Sequence, residues 1–217
     1  CQFADKKTIT ADKTRFSNFI LKSENGKSQL SLENEANIIE EYWKVISINH
    51  ECQIKVKDGK DLYTGDSPDE IELVRAAAAQ GYANKVSEKQ SIRKILLGDE
   101  LKEYEILQQF PFNSDRKRSS VVVRDNGLIK LYIKGADSII QERLAKNGQN
   151  FEIINQTKDY VNEFSGQGYR CLYIGMKIID EAEYEKWSQM YYDATIKKDE
   201  NEEELKKAIH NFESDII

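Results

Sequence analysis

An aromatic residue, a run of cations and a later lysine have the chemistry to bind a planar anion. Phe112 stands shortly before the basic run Arg116-Lys117-Arg118, and Lys134 is followed by Gly135-Ala136. Aromatic rings stack on nucleobases, and Arg and Lys form charge-assisted hydrogen bonds with phosphate oxygens. These residue types therefore indicate a nucleotide site, provided that the fold brings them together.

A predicted β-hairpin would bring them together. Val121–Val123 is a β-branched run, Asn126-Gly127 is the strongest two-residue hairpin signal, and 128–134 alternates well enough for a second strand. A two-residue loop at Asn126-Gly127 pairs Ser119 with Lys134, and thus returns Lys134 to the basic run. Side chains alternate between the faces of a strand, so five residues should share one face. These are Val121, Val123, Lys130, Tyr132 and Lys134.

The other elements are predicted from periodicity, caps and turns. Predicted helices cover 34–47, the segment from Pro68 to the stop at Gly81, Asp137 to about Asn147-Gly148, 157–164, Asp180 to Tyr191 and 205–212. Predicted strands cover 52–56, 92–97, 101–110 and 171–178, with Tyr104, Ile106 and Phe110 on one face. Because the strands come as adjacent hairpins with helices between them, we expect an α+β fold with a largely antiparallel sheet.

Composition limits the function classes. The 217 residues are 39% hydrophobic and 32% charged, which suits a globular protein, and the net charge of −6 argues against a dedicated nucleic-acid binder. Three distant cysteines and two isolated histidines provide no zinc spacing and no disulfide framework, which favours a reducing compartment. We expect a polar, weakly patterned segment over 1–34 and a single domain over 35–217. The start at Cys1, without an apolar leader, suggests an excised fragment.

Four motifs stand in a fixed order along the chain: Ser67-Pro68-Asp69-Glu70, then the segment 112–118 (FNSDRKR), then Lys134-Gly135-Ala136-Asp137, then the segment 168–172 (GYRCL). Together they resemble the cytosolic nucleotide-binding domain of P-type ATPases, and their form is similar to the phospholipid-transporting (flippase) subfamily. The resemblance runs from about Ile39 to the end of the chain.

The resemblance implies a twisted antiparallel sheet flanked by helices, and ATP, with Mg²⁺, as the ligand. It implies that the parent protein is a membrane pump whose nucleotide-binding domain lies on the cytosolic face and works with phosphorylation and actuator domains of the same chain. Phospholipid would then be met only by a membrane domain. The phosphorylated Asp would also lie outside this fragment, so we expect the fragment to bind ATP without turning it over.

The same resemblance implies site residues. Phe112 matches the aromatic that stacks on adenine, and Lys134 matches a lysine deep in the adenosine pocket. Arg170 matches an arginine near the phosphates, and Cys171 replaces a usual Thr beside the ligand. The full expected ATP-binding set is Glu70, Phe112, Ser114, Lys117, Lys134, Arg170 and Cys171. No catalytic residue and no metal ligand is expected in the fragment itself.

Several residues have a second interpretation. Glu70 matches a family acid that reaches the adenine or ribose edge, but it also stands at the third position of a capping box headed by Ser67. Arg116 and Arg118 either face phosphate or are simply exposed. Asp12-Lys13-Thr14 resembles the start of a P-type phosphorylation motif, but Arg15 follows instead of Gly, so we interpret it as a coincidence.

Two other functions stay open at this point. One is the nucleotide-binding domain of another P-type pump, for a cation or an unknown substrate. The other is a module that binds anionic partners through Arg116-Lys117-Arg118, Arg124 and Lys130. That module would show steep salt dependence with oligonucleotides or acidic lipids and little preference for ATP.

Overall fold

The structure, a computed structural model, describes residues 32–145, 151–197 and 202–217. Within these residues the helices are α1 (Leu32–Ile48), α2 (Pro68–Ala79), α3 (Asp137–Gln141), α4 (Phe151–Gly166), α5 (Glu181–Ile196) and α6 (Glu202–Phe212). The strands are β1 (Gln53–Lys57), β2 (Lys60–Thr64), β3 (Tyr82–Lys85), β4 (Ile92–Leu97), β5 (Glu100–Asn113), β6 (Arg118–Asp125), β7 (Leu128–Gly135) and β8 (Tyr173–Ile179).

The sheet confirms the predicted α+β class. β3 to β8 form a six-stranded antiparallel meander in chain order, and β1 and β2 form a separate hairpin. Neither β2 nor β3 was predicted, because both are short and rich in charged or polar residues. Their pairing partners define them, rather than an alternating pattern of their own.

The central β6–β7 hairpin has the predicted register. Ser119 pairs with Lys134, and Asp125 pairs with Leu128. Asn126 and Gly127 both have positive φ, 51° and 80°, as a type I′ turn requires. The right-handed twist of the strands favours this turn, so the Asn-Gly pair determines which side chains share a face with Lys134.

A β-bulge in β5 overturns one prediction. The register passes from Ile106 opposite Val123 to Gln108 opposite Val122, so Leu107 is an extra residue. One extra residue moves all later side chains to the other face of the sheet. Phe110 therefore lies on the face opposite Tyr104. There its ring packs edge-on against two aromatic rings of α5, with centroid distances of 6.0 Å to Trp187 and 5.6 Å to Tyr191.

The two faces of the sheet bury separate cores. One face packs against α1 and contains Val45, Ile48, Tyr104, Val121, Val123 and Tyr132. The opposite face packs against α5 and α6 and contains Phe110, Val122, Leu131, Ile133, Trp187 and Phe212. Between α1 and α2, a smaller cluster joins Trp43 and Ile46 to Leu73 and Ala77. α2 thus approaches α1 through Leu73 and Ala77.

The ends of α3 and β8 differ from prediction. Ala136, not Asp137, is the N-cap of α3, which ends at Gln141; Asp137 accepts a hydrogen bond from the Ser138 amide instead. β8 begins at Tyr173, so Cys171 precedes the strand. Asn147-Gly148 and Asp12-Lys13-Thr14 lie outside the described residues.

No helix among the described residues combines the length and the apolar character needed to cross a bilayer.

Candidate functional site

The predicted site residues gather at the open end of the β6–β7 hairpin. A transverse row crosses four strands there, in which Asn113 pairs with Arg118, Arg118 with Gly135, and Gly135 with Tyr173. Six of the seven predicted residues lie within three positions of a member of this row: Phe112, Ser114, Lys117, Lys134, Arg170 and Cys171. The seventh, Glu70, reaches the row from α2.

Lys134 and Glu70 form the buried centre of the site. The Lys134 ammonium donates to the Glu70 carboxylate at 2.6 Å, and their side chains are only 8% and 15% exposed. β7 places Lys134 on the α1 face of the sheet, and the first turn of α2 places Glu70 above it. Because both side chains are largely withdrawn from water, removal of either one would leave the other without a compensating partner.

The capping interpretation of Glu70 is confirmed only in part. Ser67 caps α2, because its hydroxyl accepts from the Glu70 amide at 3.3 Å. The Glu70 carboxylate accepts from the Glu51 amide at 2.9 Å and from Lys134. The carboxylate is therefore bonded to groups at the candidate site, whereas only the serine half of the predicted capping box is formed.

The β5–β6 turn presents Phe112 to solvent. Pro111 and Phe112 are passed over by the pairing register, and the Phe112 side chain is 61% exposed. Asn113 organises the turn: its side-chain oxygen accepts from the Asp115 amide, and its carbonyl accepts from the Lys117 amide, both at 2.7 Å. Ser114 and Lys117 are exposed on the same turn. An exposed phenyl ring on an ordered turn is available to stack on a base.

Gly135 fixes the turn against β7. A Cβ atom there would lie 2.6 Å from Arg118 Cβ and 2.7 Å from the Lys117 carbonyl oxygen. The Ala136 amide donates to that same carbonyl at 3.0 Å. Glycine is needed because the backbones approach closely, and this approach joins the Phe112 turn to the segment that carries Lys134.

Arg170 and Cys171 approach from the segment before β8. The Arg170 guanidinium, 77% exposed, forms an ion pair with Asp69, the neighbour of Glu70. Cys171 is half-buried, and its sulfur lies 3.6 Å from the Ser165 hydroxyl and 3.8 Å from the Tyr169 carbonyl. The structure thus brings Arg170 to the start of α2, where its side chain lies mostly in solvent.

The basic run does not converge on the site as the hairpin suggested. Arg116 and Arg118 both bond to the buried Glu213, at 2.5 Å and 2.7 Å, on the face opposite Lys134. They are neither phosphate-facing nor exposed, which corrects both interpretations. Alternation explains the result, since Arg118 pairs with Gly135 and therefore points away from the face that carries Lys134. Lys117 is the member of the run that faces solvent.

The segment at His50 and Glu51 borders the candidate site, a position that was not predicted. The His50 carbonyl accepts from Arg93 at 2.8 Å and from Gln109 at 3.1 Å. Burial, together with the charges of Arg93 and Lys134, lowers the pKa of His50 to about 3. Burial and the neighbouring Glu70 raise the pKa of Glu51. No sequence pattern indicates these residues, because their roles depend on backbone groups brought together by the fold.

A cleft of about 470 Å³ adjoins this region. Its walls include Glu51, whose amide bonds to Glu70, and Pro111, the neighbour of Phe112. Arg93 and Gln109 also line it. Residues 32–145, 151–197 and 202–217 contain no group of three or more His, Cys, Asp or Glu side chains placed to hold a metal ion. The region can thus offer a stacking ring, a buried ion pair and peripheral cations to a ligand.

Comparison with known proteins identifies the family. The profile described as "P-type ATPase, cytoplasmic domain N" matches residues 39–214. Phospholipid-transporting ATPase tat-1 of Caenorhabditis elegans is 32% identical over 226 aligned positions, which cover 97% of this chain and 20% of the worm protein.

Two further relatives have similar names. Phospholipid-transporting ATPase ID of Homo sapiens is 34% identical over 82% of the chain and 15% of the human protein. Phospholipid-transporting ATPase DRS2 of Saccharomyces cerevisiae is 36% identical over 74% of the chain and 12% of the yeast protein. The chain spans about a fifth or less of the length of these relatives. The match over residues 39–214 and the antiparallel α+β fold together establish that this chain belongs to the P-type ATPase family, as its cytoplasmic domain N.

Proposed function

We propose that residues 35–217 form an ATP-binding domain whose site is the open end of the β6–β7 hairpin. The observation that carries the proposal is the buried Lys134–Glu70 pair, which is joined to the exposed Phe112 turn by the hydrogen bond from the Ala136 amide to the Lys117 carbonyl. The pair offers a buried donor and a buried acceptor to a polar ligand, and the exposed phenyl ring on the adjoining turn supplies the surface that a base needs.

Each residue has a proposed contact. Phe112 stacks on adenine, and Lys134 and Glu70 bond to the polar edges of the adenosine, exchanging part of their mutual ion pair for ligand contacts. Ser114 and Lys117 bond to the ligand from the turn. Arg170 leaves Asp69 and reaches toward the phosphates, for which its planar fork is suited. Cys171 offers only a weak donor where the family usually has a hydroxyl, so its contribution is small.

The ligand would bring its own metal ion. Mg²⁺ binds phosphate oxygens and neutralises their charge when the nucleotide is bound. We propose that the parent protein presents the γ-phosphate of ATP to an aspartate in a separate phosphorylation domain. Domain N supplies binding and orientation, not the acceptor group.

The relatives support a lipid as the transported species. All three relatives described above are named as phospholipid-transporting ATPases, and this favours phospholipid over a cation. We therefore propose that the parent is an ATP-hydrolysing phospholipid translocase with this domain on the cytosolic side of its membrane. Actuator and phosphorylation domains of the same chain would be its partners.

Most cations of the alternative anion-binding module are engaged in ion pairs within the domain. Arg116 and Arg118 bond to Glu213, Arg124 bonds to Glu181 at 2.8 Å, and Lys130 bonds to Asp125 at 2.8 Å. Each of these charges is offset by a carboxylate, so the run and its neighbours offer little net positive charge to a polyanion. This counts against binding of nucleic acid or acidic lipid by the basic run.

A titration of the chain with ATP tests the proposal, with Phe112→Ala and a matched control. Tyr192 on α5 is also 61% exposed and is not among the proposed ATP contacts. Tyr192→Ala therefore removes an equally exposed ring that the proposal does not use. Stacking on an aromatic contributes about 1–3 kcal/mol per base, so Phe112→Ala should weaken ATP binding roughly 5- to 150-fold. Tyr192→Ala should leave it unchanged.

Two results would refute ATP binding at this site. One is the absence of saturable binding to the unmodified chain at millimolar ATP. The other is equal affinity in the two variants, which would mean that Phe112 does not contact the base.

A further inference from the structure

Glu213 is a fully buried carboxylate outside the proposed contacts with ATP. Its side chain has no solvent exposure. One oxygen accepts from Arg116 at 2.5 Å and from the Ser120 hydroxyl, and the other accepts from Arg118 Nε at 2.7 Å. A single carboxylate thus bonds to three residues that lie at the end of the β5–β6 turn and the start of β6.

The two arginines extend these bonds to both sides of the turn. Arg116 also donates to the carbonyl of Pro111, the neighbour of Phe112, at 3.1 Å. Arg118 also donates to the carbonyl of Arg116 at 3.0 Å. Glu213 is therefore connected, through one guanidinium each, to the residue before Phe112 and to the residue before Lys117.

The turn needs such support. Lys117 has φ = +52°, a left-handed conformation that costs a non-glycine residue energy unless surrounding contacts maintain it. In this conformation the Lys117 carbonyl accepts from the Ala136 amide. Loss of the turn geometry would therefore move Phe112 and Lys117 relative to Lys134.

We propose that Glu213 is a positioning residue for the nucleotide site, acting from the opposite face of the sheet through Arg116 and Arg118. This rests on the proposed ATP-binding function. Glu213 does not touch the ligand; it fixes the turn that carries Phe112, Ser114 and Lys117. The buried Arg143 lies on the same face and bonds to His210 at 3.1 Å, so removal of the Glu213 charge leaves several cations facing one another.

The matched pair Glu213→Gln and Asp125→Asn tests this. Asp125 is also a buried carboxylate, bonded to Lys130 at 2.8 Å and Lys44 at 3.3 Å, but it lies at the opposite end of the same hairpin. The dissociation constants of ATP and of adenosine are measured for both variants. Hydrogen exchange of the Lys117 and Ala136 amides is measured without nucleotide.

Glu213→Gln should weaken the binding of ATP and the binding of adenosine by the same factor, about tenfold, because the binding-competent conformation of the turn is less populated. The Lys117 and Ala136 amides should exchange at least about tenfold faster, because the exchange rate follows the open fraction of the turn, which rises from a minority to a majority when the competent fraction falls tenfold. Asp125→Asn should leave both affinities and both exchange rates unchanged. If Glu213→Gln fails to fold, Arg116→Lys, which keeps one bond where the guanidinium makes two, should show the same pattern with a change of a few-fold.

Wild-type affinity and unchanged exchange in Glu213→Gln would overturn the positioning role. A loss of affinity that is greater for ATP than for adenosine would also overturn the positioning role. Such a result would mean that the arginines contact the phosphates. If the unmodified chain fails to bind ATP, the proposed function fails, and the exchange rates of the Lys117 and Ala136 amides alone decide whether Glu213 orders the turn.

Discussion

Lys134 and Lys130 provide a matched test of which buried lysine serves the ligand. Both lie on β7, both point to the α1 face, and both are 7% exposed. Lys134 bonds to Glu70 at 2.6 Å at the open end of the hairpin, whereas Lys130 bonds to Glu41 at 2.7 Å and to Asp125 near the turn. Replacing either lysine by Met removes the charge and keeps most of the volume.

Both variants should lose similar stability. Removing one partner of a buried ion pair costs about 3–5 kcal/mol, because the other charge is left unpaired. Glu70 retains the Glu51 amide and is 15% exposed, and Asp125 retains Lys44, so we expect a loss at the bottom of that range, about 3 kcal/mol, for each. Urea unfolding followed by circular dichroism measures this difference.

Only Lys134→Met should weaken ATP binding. A hydrogen bond to a charged group contributes about 1.5–3 kcal/mol, and part of that is offset because Lys134 must loosen its bond to Glu70. A net loss of about 1.5 kcal/mol raises the dissociation constant roughly tenfold, and titration calorimetry measures this change. Equal ATP affinities in the Lys134→Met and Lys130→Met variants would refute the ligand role of Lys134.

Two further predictions concern the structure that supports the site. Burial lowers the pKa of His50 to about 3, from an unfolded value near 6.5, so the unfolded chain binds a proton that the folded chain does not, and stability should fall as pH decreases. Between pH 7 and pH 5 the loss should be about 2 kcal/mol, and His50→Gln should remove it; an unchanged pH slope would contradict the buried neutral ring. Gly135→Ala would place a methyl group 2.6 Å from Arg118 Cβ, so thermal unfolding should show a destabilisation of about 1–3 kcal/mol, with weaker ATP binding. A variant as stable as the wild-type chain would show that the close backbone approach is not needed.

The sequence predicted local structure best where the side chains themselves encode it. Asn126-Gly127 determined the hairpin register to the residue, because an Asn-Gly pair favours the type I′ turn. Ser67-Pro68 likewise predicted the start of α2. These signals operate within a few residues and need no knowledge of tertiary contacts.

Predictions failed where distant parts of the chain decide the outcome. The bulge at Leu107 moved Phe110 to the face opposite Tyr104, and alternation alone cannot show where a strand gains a residue. Arg116 and Arg118 looked like ligands for an anion because their partner, Glu213, is far along the chain. A buried carboxylate carries no local signature that distinguishes it from an exposed one.

For the candidate site, the family motifs predicted residues that the fold does bring to one end of the sheet. They did not predict that Glu70 and Lys134 would bond to each other, nor that Asp69 would pair with Arg170. Both pairs involve α2, whose position above β7 depends on packing against α1 rather than on any pattern in the motif itself.

The most direct measurement is a map of backbone amide chemical shifts of the chain during titration with ATP. We expect saturable shifts at the open end of the hairpin, in Phe112–Lys117, Lys134–Gly135 and Arg170–Cys171. The turn at Asn126-Gly127, at the other end of the same two strands, should not respond. Shifts confined to that turn, or to the part of the neighbouring cleft lined by Val86 and Lys89, would contradict the placement of ATP at the open end.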